Sequence, residues 1–128
     1  MRNKLLIILL LLPLAFSCRQ NVDNIYSTVT LNAVCDGLQM PAIRVDNSVK
    51  GNFFSNLNTG EKYDYPLFVN GKCTIRVLKG VYIFAFDGTA TLPNGSTRVV
   101  RCYEHRSPND SVNILEDEVE ITFDLLAL

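Results

Sequence analysis

Glu118-Val119-Glu120-Ile121-Thr122-Phe123-Asp124-Leu125 decides the fold class of this chain. Its apolar residues fall at 119, 121, 123 and 125, with carboxylates or threonine between them. A period of two places four apolar side chains on one face of a strand and the polar ones on the other. On a helix the same residues would be smeared around the circumference. The segment is therefore read as a strand with one buried face, and Glu118 and Glu120 as a solvated edge that discourages strand-to-strand aggregation.

The same rhythm recurs upstream. Val29, Leu31 and Ala33 alternate with Thr30 and Asn32, and the run closes at Cys35-Asp36-Gly37. Lys50 to Leu57 ends at Asn58-Thr59-Gly60, a turn composition. Lys62 to Phe68 puts Tyr63, Tyr65 and Leu67 on one face, and Pro66 within it indicates an edge strand. Asn70-Gly71 is a strong hairpin signal, followed by Cys73, Ile75 and Val77 alternating with Thr74 and Arg76. Val81 to Phe86 is apolar at every position, as in a strand covered on both faces, and Asp87-Gly88 reads as the turn that ends it. Leu92-Pro93-Asn94-Gly95 marks another turn, leading into Ser96 to Tyr103. Gly37 to Asn47, with Pro41, reads as a crossover loop. No segment carries a helical stripe. About seven short strands with frequent turns predict an all-β fold, a single antiparallel two-sheet β-sandwich.

The amino-terminal end has a different character. Arg2 and Lys4 precede Leu5 to Ser17, 13 residues with no charge and no polar side chain except Ser17. A membrane-spanning helix needs about 20 apolar residues, so the run is read as a secretory signal peptide. Cys18 follows directly, and that placement resembles the lipobox of bacterial lipoproteins. The resemblance implies a diacylglycerol thioether and an amide-linked acyl chain on Cys18, with Arg19 to Asn24 as a polar tether. Ala15-Phe16-Ser17 also fits the small-x-small site of ordinary signal peptidase, which would expose the same cysteine without lipid. The organisation expected is a lipoprotein signal peptide over 1–17, a lipidated Cys and tether over 18–26, and a β-sandwich over 27–128.

Removing the leader leaves Cys18 to Leu128, 111 of the 128 residues, enough for one domain with its own core. Taking Arg2 and Lys4 from the 12 basic residues leaves 10 against 13 acidic ones, a net charge of −3. No basic block is present, which argues against a nucleic-acid partner. Beyond the leader no apolar run approaches spanning length.

Cys35, Cys73 and Cys102 remain as one disulfide plus a thiol, or as buried thiols that pack like small hydrophobes. Two disulfides become possible only if Cys18 is an unlipidated partner, which describes a secreted alternative. No C-x-x-C spacing supports zinc, and no metal or cofactor is expected.

Asn58-Thr59-Gly60-Glu61-Lys62-Tyr63, Asn70-Gly71-Lys72-Cys73-Thr74-Ile75 and Leu78-Lys79-Gly80-Val81-Tyr82 together resemble the transthyretin-like (prealbumin-like) domains, which include the carboxypeptidase regulatory-like group. Lys79 stands where that pattern has Pro or another small residue. The resemblance implies a sandwich that serves as stalk, spacer or adhesion module, not a catalyst. With the leader, the chain is similar to small lipoproteins of Gram-negative outer membranes. A cell-envelope location, anchored by lipid such as palmitate, is expected.

Other chemistry is sparse. His105 stands alone between Glu104 and Arg106, without a nucleophile motif or a second His, and is read as a solvated loop residue. Glu116, Asp117, Glu118 and Glu120 lack calcium-loop spacing. Tyr63 and Tyr65 are the candidates for exposed rings that would stack on a glycan or peptide, the other aromatics being assigned to the core. Asp110-Ser111-Val112 resembles a short O-glycosylation acceptor, with Ser111 as the site. The expected role is a non-enzymatic binding or structural protein whose partner is an envelope protein or glycan. The alternative is an accessory protein capturing glycans or peptides at the surface.

Overall fold

A computed structural model describes residues 25–128 and contains no α-helix among them. The expected signal peptide, Cys18 and most of the expected tether lie outside the described residues. Ten strands form: β1 (Tyr26–Cys35), β2 (Leu38–Gln39), β3 (Ala42–Val45), β4 (Phe53–Asn56), β5 (Phe68–Val69), β6 (Lys72–Leu78), β7 (Gly80–Thr91), β8 (Thr97–Cys102), β9 (Val112–Ile114) and β10 (Glu118–Ala127). The all-β class is as expected; the architecture is not.

Seven strands close on themselves in the order β1-β10-β8-β7-β3-β5-β6 and back to β1, so the body is a barrel and not a two-sheet sandwich. Closure comes from β1, which pairs antiparallel with β6 and parallel with β10. In the parallel pair Val29 faces Val119, Leu31 faces Ile121, Ala33 faces Phe123 and Cys35 faces Leu125. Both strands alternate in phase, so their buried residues share one face whichever way the strands run. Alternation therefore identifies the face but not the direction of the partner. The first and last barrel strands meet and remove the edges that an open sheet would leave. Glu118 and Glu120 thus lie on a strand paired along Thr28–Cys35, not on a solvated edge strand.

The second departure is β7. It runs 12 residues, straight through Asp87-Gly88. Its first half pairs with β4 and β9, which lie off the barrel path, and its second half with β3 and β8. Gly88 is there for close approach and not for turning: a Cβ on it would meet the Cγ2 of Ile43 at 2.8 Å.

Asn70 and Gly71 both take positive φ between β5 and β6, the tight two-residue hairpin that the sequence predicts. Asp36 and Gly37 do the same between β1 and β2, where only the end of a strand was expected. The β7–β8 turn is closed by the Leu92 N–H donating to Ser96 O at 2.8 Å. The segment read as a crossover loop, 37–47, instead supplies β2 and the barrel strand β3.

The Lys62–Phe68 segment is not an edge strand with three residues on one face. Only Lys62 makes a bridge, to Ser55, and regular pairing resumes at Phe68. Pro66 has no N–H for a ladder. Asn47 takes the place of a partner strand, its Oδ1 accepting from Tyr65 N at 2.7 Å and its Nδ2 donating to Tyr65 O at 3.1 Å. Tyr65 turns inward and Leu67 outward.

Inside the barrel the packing is largely aromatic. Phe54, Phe68, Tyr82, Phe84, Phe86 and Phe123 are fully buried or nearly so. Phe84 lies 4.6 Å from Phe54 and 5.2 Å from Phe123 between ring centroids. Tilted and edge-on pairs of this kind are favoured by the ring quadrupole. The interior is filled by side chains, as in small barrels generally, which directs any ligand contact to the outside.

Candidate functional site

A cleft of about 270 Å³, walled by both polar and apolar surface, opens on the outer face where β7 and β8 meet the Asp46–Asn52 turn and the loop carrying Arg106. Asp87 on β7 is opposite Arg101 on β8 in register. Their side chains join as a fork, with Nε to Oδ1 at 2.8 Å and Nη2 to Oδ2 at 3.0 Å. The Arg101 hydrogen bonds hold the Asp87 carboxyl below the usual aspartate range, against the opposing effect of burial, and the charges of Arg101 and Arg106 add to the lowering.

The turn that walls the cleft is tied down by its own side chains. Asp46 Oδ1 accepts from Ser48 N at 3.0 Å and from Ser48 Oγ at 2.6 Å, and these bonds lower the Asp46 pKa. Asn52 donates through Nδ2 to Asp46 O at 2.9 Å and accepts at Oδ1 from Asp87 N at 3.0 Å. The loop is thereby fastened to the backbone of β7. Phe86 lies beneath, and Val49 supplies an exposed apolar wall.

A second, shallower depression of about 410 Å³ runs over the parallel pair, lined by Thr28, Thr30, Glu118, Val119 and Glu120. Beside it Asn32, only 6 % exposed, donates to Glu120 Oε1 at 2.8 Å, while its own Oδ1 has no partner.

The residues singled out from sequence are dispersed. Cys18 lies outside the described residues. Cys35, Cys73 and Cys102 are all free and buried. Burial pushes the Cys73 and Cys102 thiols up to about 12, and raises Cys35 with help from Asp36. Two disulfides in a chain of four cysteines would need one between two of these three, and none joins them.

Tyr65 corrects the expectation of an exposed ring: it is 4 % exposed, and its hydroxyl donates to Phe53 O. Tyr63 is half-buried, with its hydroxyl donating to Glu61 Oε2 at 3.0 Å and accepting from Leu78 N at 3.1 Å. Both rings flank Phe54 at centroid distances of 5.6 Å, so they extend the core and form no stacking platform.

His105 is half-buried instead of fully solvated. Its ring lies against Phe84 and Phe123, and its Nδ1 is 2.9 Å from Asp110 O. Ser111 is half-buried directly after the 3-10 turn Pro108–Asp110, where its N–H donates to Pro108 O. Among the acidic residues Asp117 pairs with Lys79 at 2.6 Å. Among the described residues no three His, Cys, Asp or Glu side chains group as a metal site.

Sequence reasoning missed Asp46, Asn52, Asp87, Arg101 and Arg106. They are spread over some 60 positions without a motif (roughly half the chain), and only the antiparallel β7–β8 register brings Asp87 to Arg101. Comparison with known proteins adds no relative: no family model matches the chain, and no curated protein or solved structure is significantly similar to it.

Proposed function

We propose that this chain is a lipid-anchored cell-envelope protein, held at the outer membrane through Cys18, whose β-barrel binds or assembles with another envelope component without catalysing a reaction. The observation that carries it is the order of parts: a basic and then apolar leader, Cys18, a polar stretch, and a first barrel strand beginning at Tyr26. The seven residues Arg19–Ile25 reach about 25 Å when fully extended, which keeps the body close to the bilayer. Confinement of that kind raises the effective concentration of weak contacts.

The polarity of the barrel supports anchoring over spanning. A membrane-spanning barrel carries an apolar band outside. Here Ile121, Phe123 and Leu125 of β10 point inward, and Glu118, Glu120, Thr122 and Asp124 point outward, with Leu126 the one apolar residue of the strand on that outer face. One acyl chain retains a protein only marginally, whereas the several chains of a mature lipoprotein hold it firmly.

Growth of an expressing bacterium with labelled palmitate tests the anchor. Label should enter the wild-type protein and be lost from Cys18→Ala, which should also leave the membrane fraction. Unlabelled wild-type protein, or a Cys18→Ala variant still in the membrane fraction, overturns it.

A further inference from the structure

The cleft between the Asp46–Asn52 turn and the β7–β8 pair is built before any ligand arrives. Asp87 and Arg101 are locked together through two hydrogen bonds, and the Asn52 amide is used at both ends. Two groups in the same cleft are left over. Arg106 makes no ion pair and no hydrogen bond among the described residues, and neither does the second carboxylate oxygen of Asp46.

The two carboxylates and two guanidiniums cancel in charge. A phosphate or carboxylate drawn to Arg106 would also face Asp46 and Asp87, and a cation would face Arg101 and Arg106. The leftover groups are a fork of donors and a lone acceptor, beside an apolar wall at Val49. A hydroxyl both donates and accepts, and a sugar ring presents several hydroxyls around an apolar C–H face.

We propose that this cleft binds a neutral, hydroxyl-rich ligand of the saccharide class, with Arg106 donating to ring hydroxyls and Asp46 accepting from them. At about 270 Å³ the cleft falls just under the usual small-molecule range of roughly 300–1,000 Å³. It fits one sugar ring, or the end of a chain, better than a long oligosaccharide. The Asp87–Arg101 fork and the Asn52 amide are already fixed, so the ordering cost of binding falls on the exposed Arg106 side chain. The assignment rests on the barrel being a binding module, and not on the anchor.

The test uses the mature protein as purified from the expressing bacterium, in a polyoxyethylene detergent, which carries neither sugar nor charge. Titration with a panel of neutral mono- and disaccharides, followed by amide resonances, should shift Asn52, Asp87 and Arg106 together. Arg106→Ala should weaken the titration about tenfold with Tm unchanged, the loss of one charge-assisted contact. Arg44→Ala, which removes an exposed side chain of β3 outside the cleft, should bind as wild type. Three results overturn the proposal: no cleft shift with any sugar of the panel, an Arg106→Ala protein that binds like wild type, or stronger shifts with inorganic phosphate or a zwitterionic amino acid. Failure of palmitate labelling would leave this titration intact, and the converse also holds, so the two readings fail separately.

Discussion

Gly88 shows how one residue can be misread for a good reason. Asp-Gly is a turn signal because glycine tolerates positive φ, yet here it sits in mid-strand with Asp87 pointing out toward Arg101. The missing side chain makes room for Ile43, which is fully buried and cannot swing away. Gly88→Ala should therefore cost about 2 kcal/mol through overpacking, seen as a fall in Tm of roughly 10 °C. An unchanged Tm would mean that β3 and β7 separate more easily than their packing implies. Asn47 shows the reverse error, a residue with no motif whose amide substitutes for an entire strand partner of Tyr65.

At the scale of elements, the alternation in β1, β6 and β10 was legible because each has one face in the core. Pairing across β7 was not, since a strand that changes partners midway leaves no mark on its own pattern. The Asp87–Arg101 fork that follows from this pairing has a defined pH response. Its carboxyl titrates lower in the folded chain than in the unfolded one, so the unfolded state takes up protons first as pH falls. The stabilisation is complete above the ordinary aspartate value of about 3.9 and declines below it, vanishing once the folded group is also protonated. Urea denaturation of wild type and Asp87→Asn should differ at neutral pH and converge in acid. With side chains 45 % and 41 % exposed, the difference should be small and should shrink in high salt. A gap that widens as pH falls would show that the fork is not its source.

For the whole molecule, the closed wall of strands shields all three described thiols. A thiol reagent at neutral pH should leave the native protein unlabelled, because burial disfavours the thiolate and blocks access. After denaturation a count of three reactive thiols is expected if Cys18 carries lipid, and four if it does not. Rapid labelling of Cys35, Cys73 or Cys102 before denaturation, located by peptide mapping, would contradict the closed barrel.

The sequence by itself determined the strand class, the buried faces of β1, β6 and β10, and the hairpin at Asn70-Gly71. These depend on near neighbours along the chain: a period of two and a positive φ. Closure into a barrel and assembly of the outer cleft were decided only in three dimensions. The parallel β1–β10 pair joins residues about 90 positions apart, and the cleft gathers side chains from two strands and two loops. Nothing local distinguishes a strand destined for a parallel partner from one destined for an antiparallel partner, so that choice falls to the packing of the core.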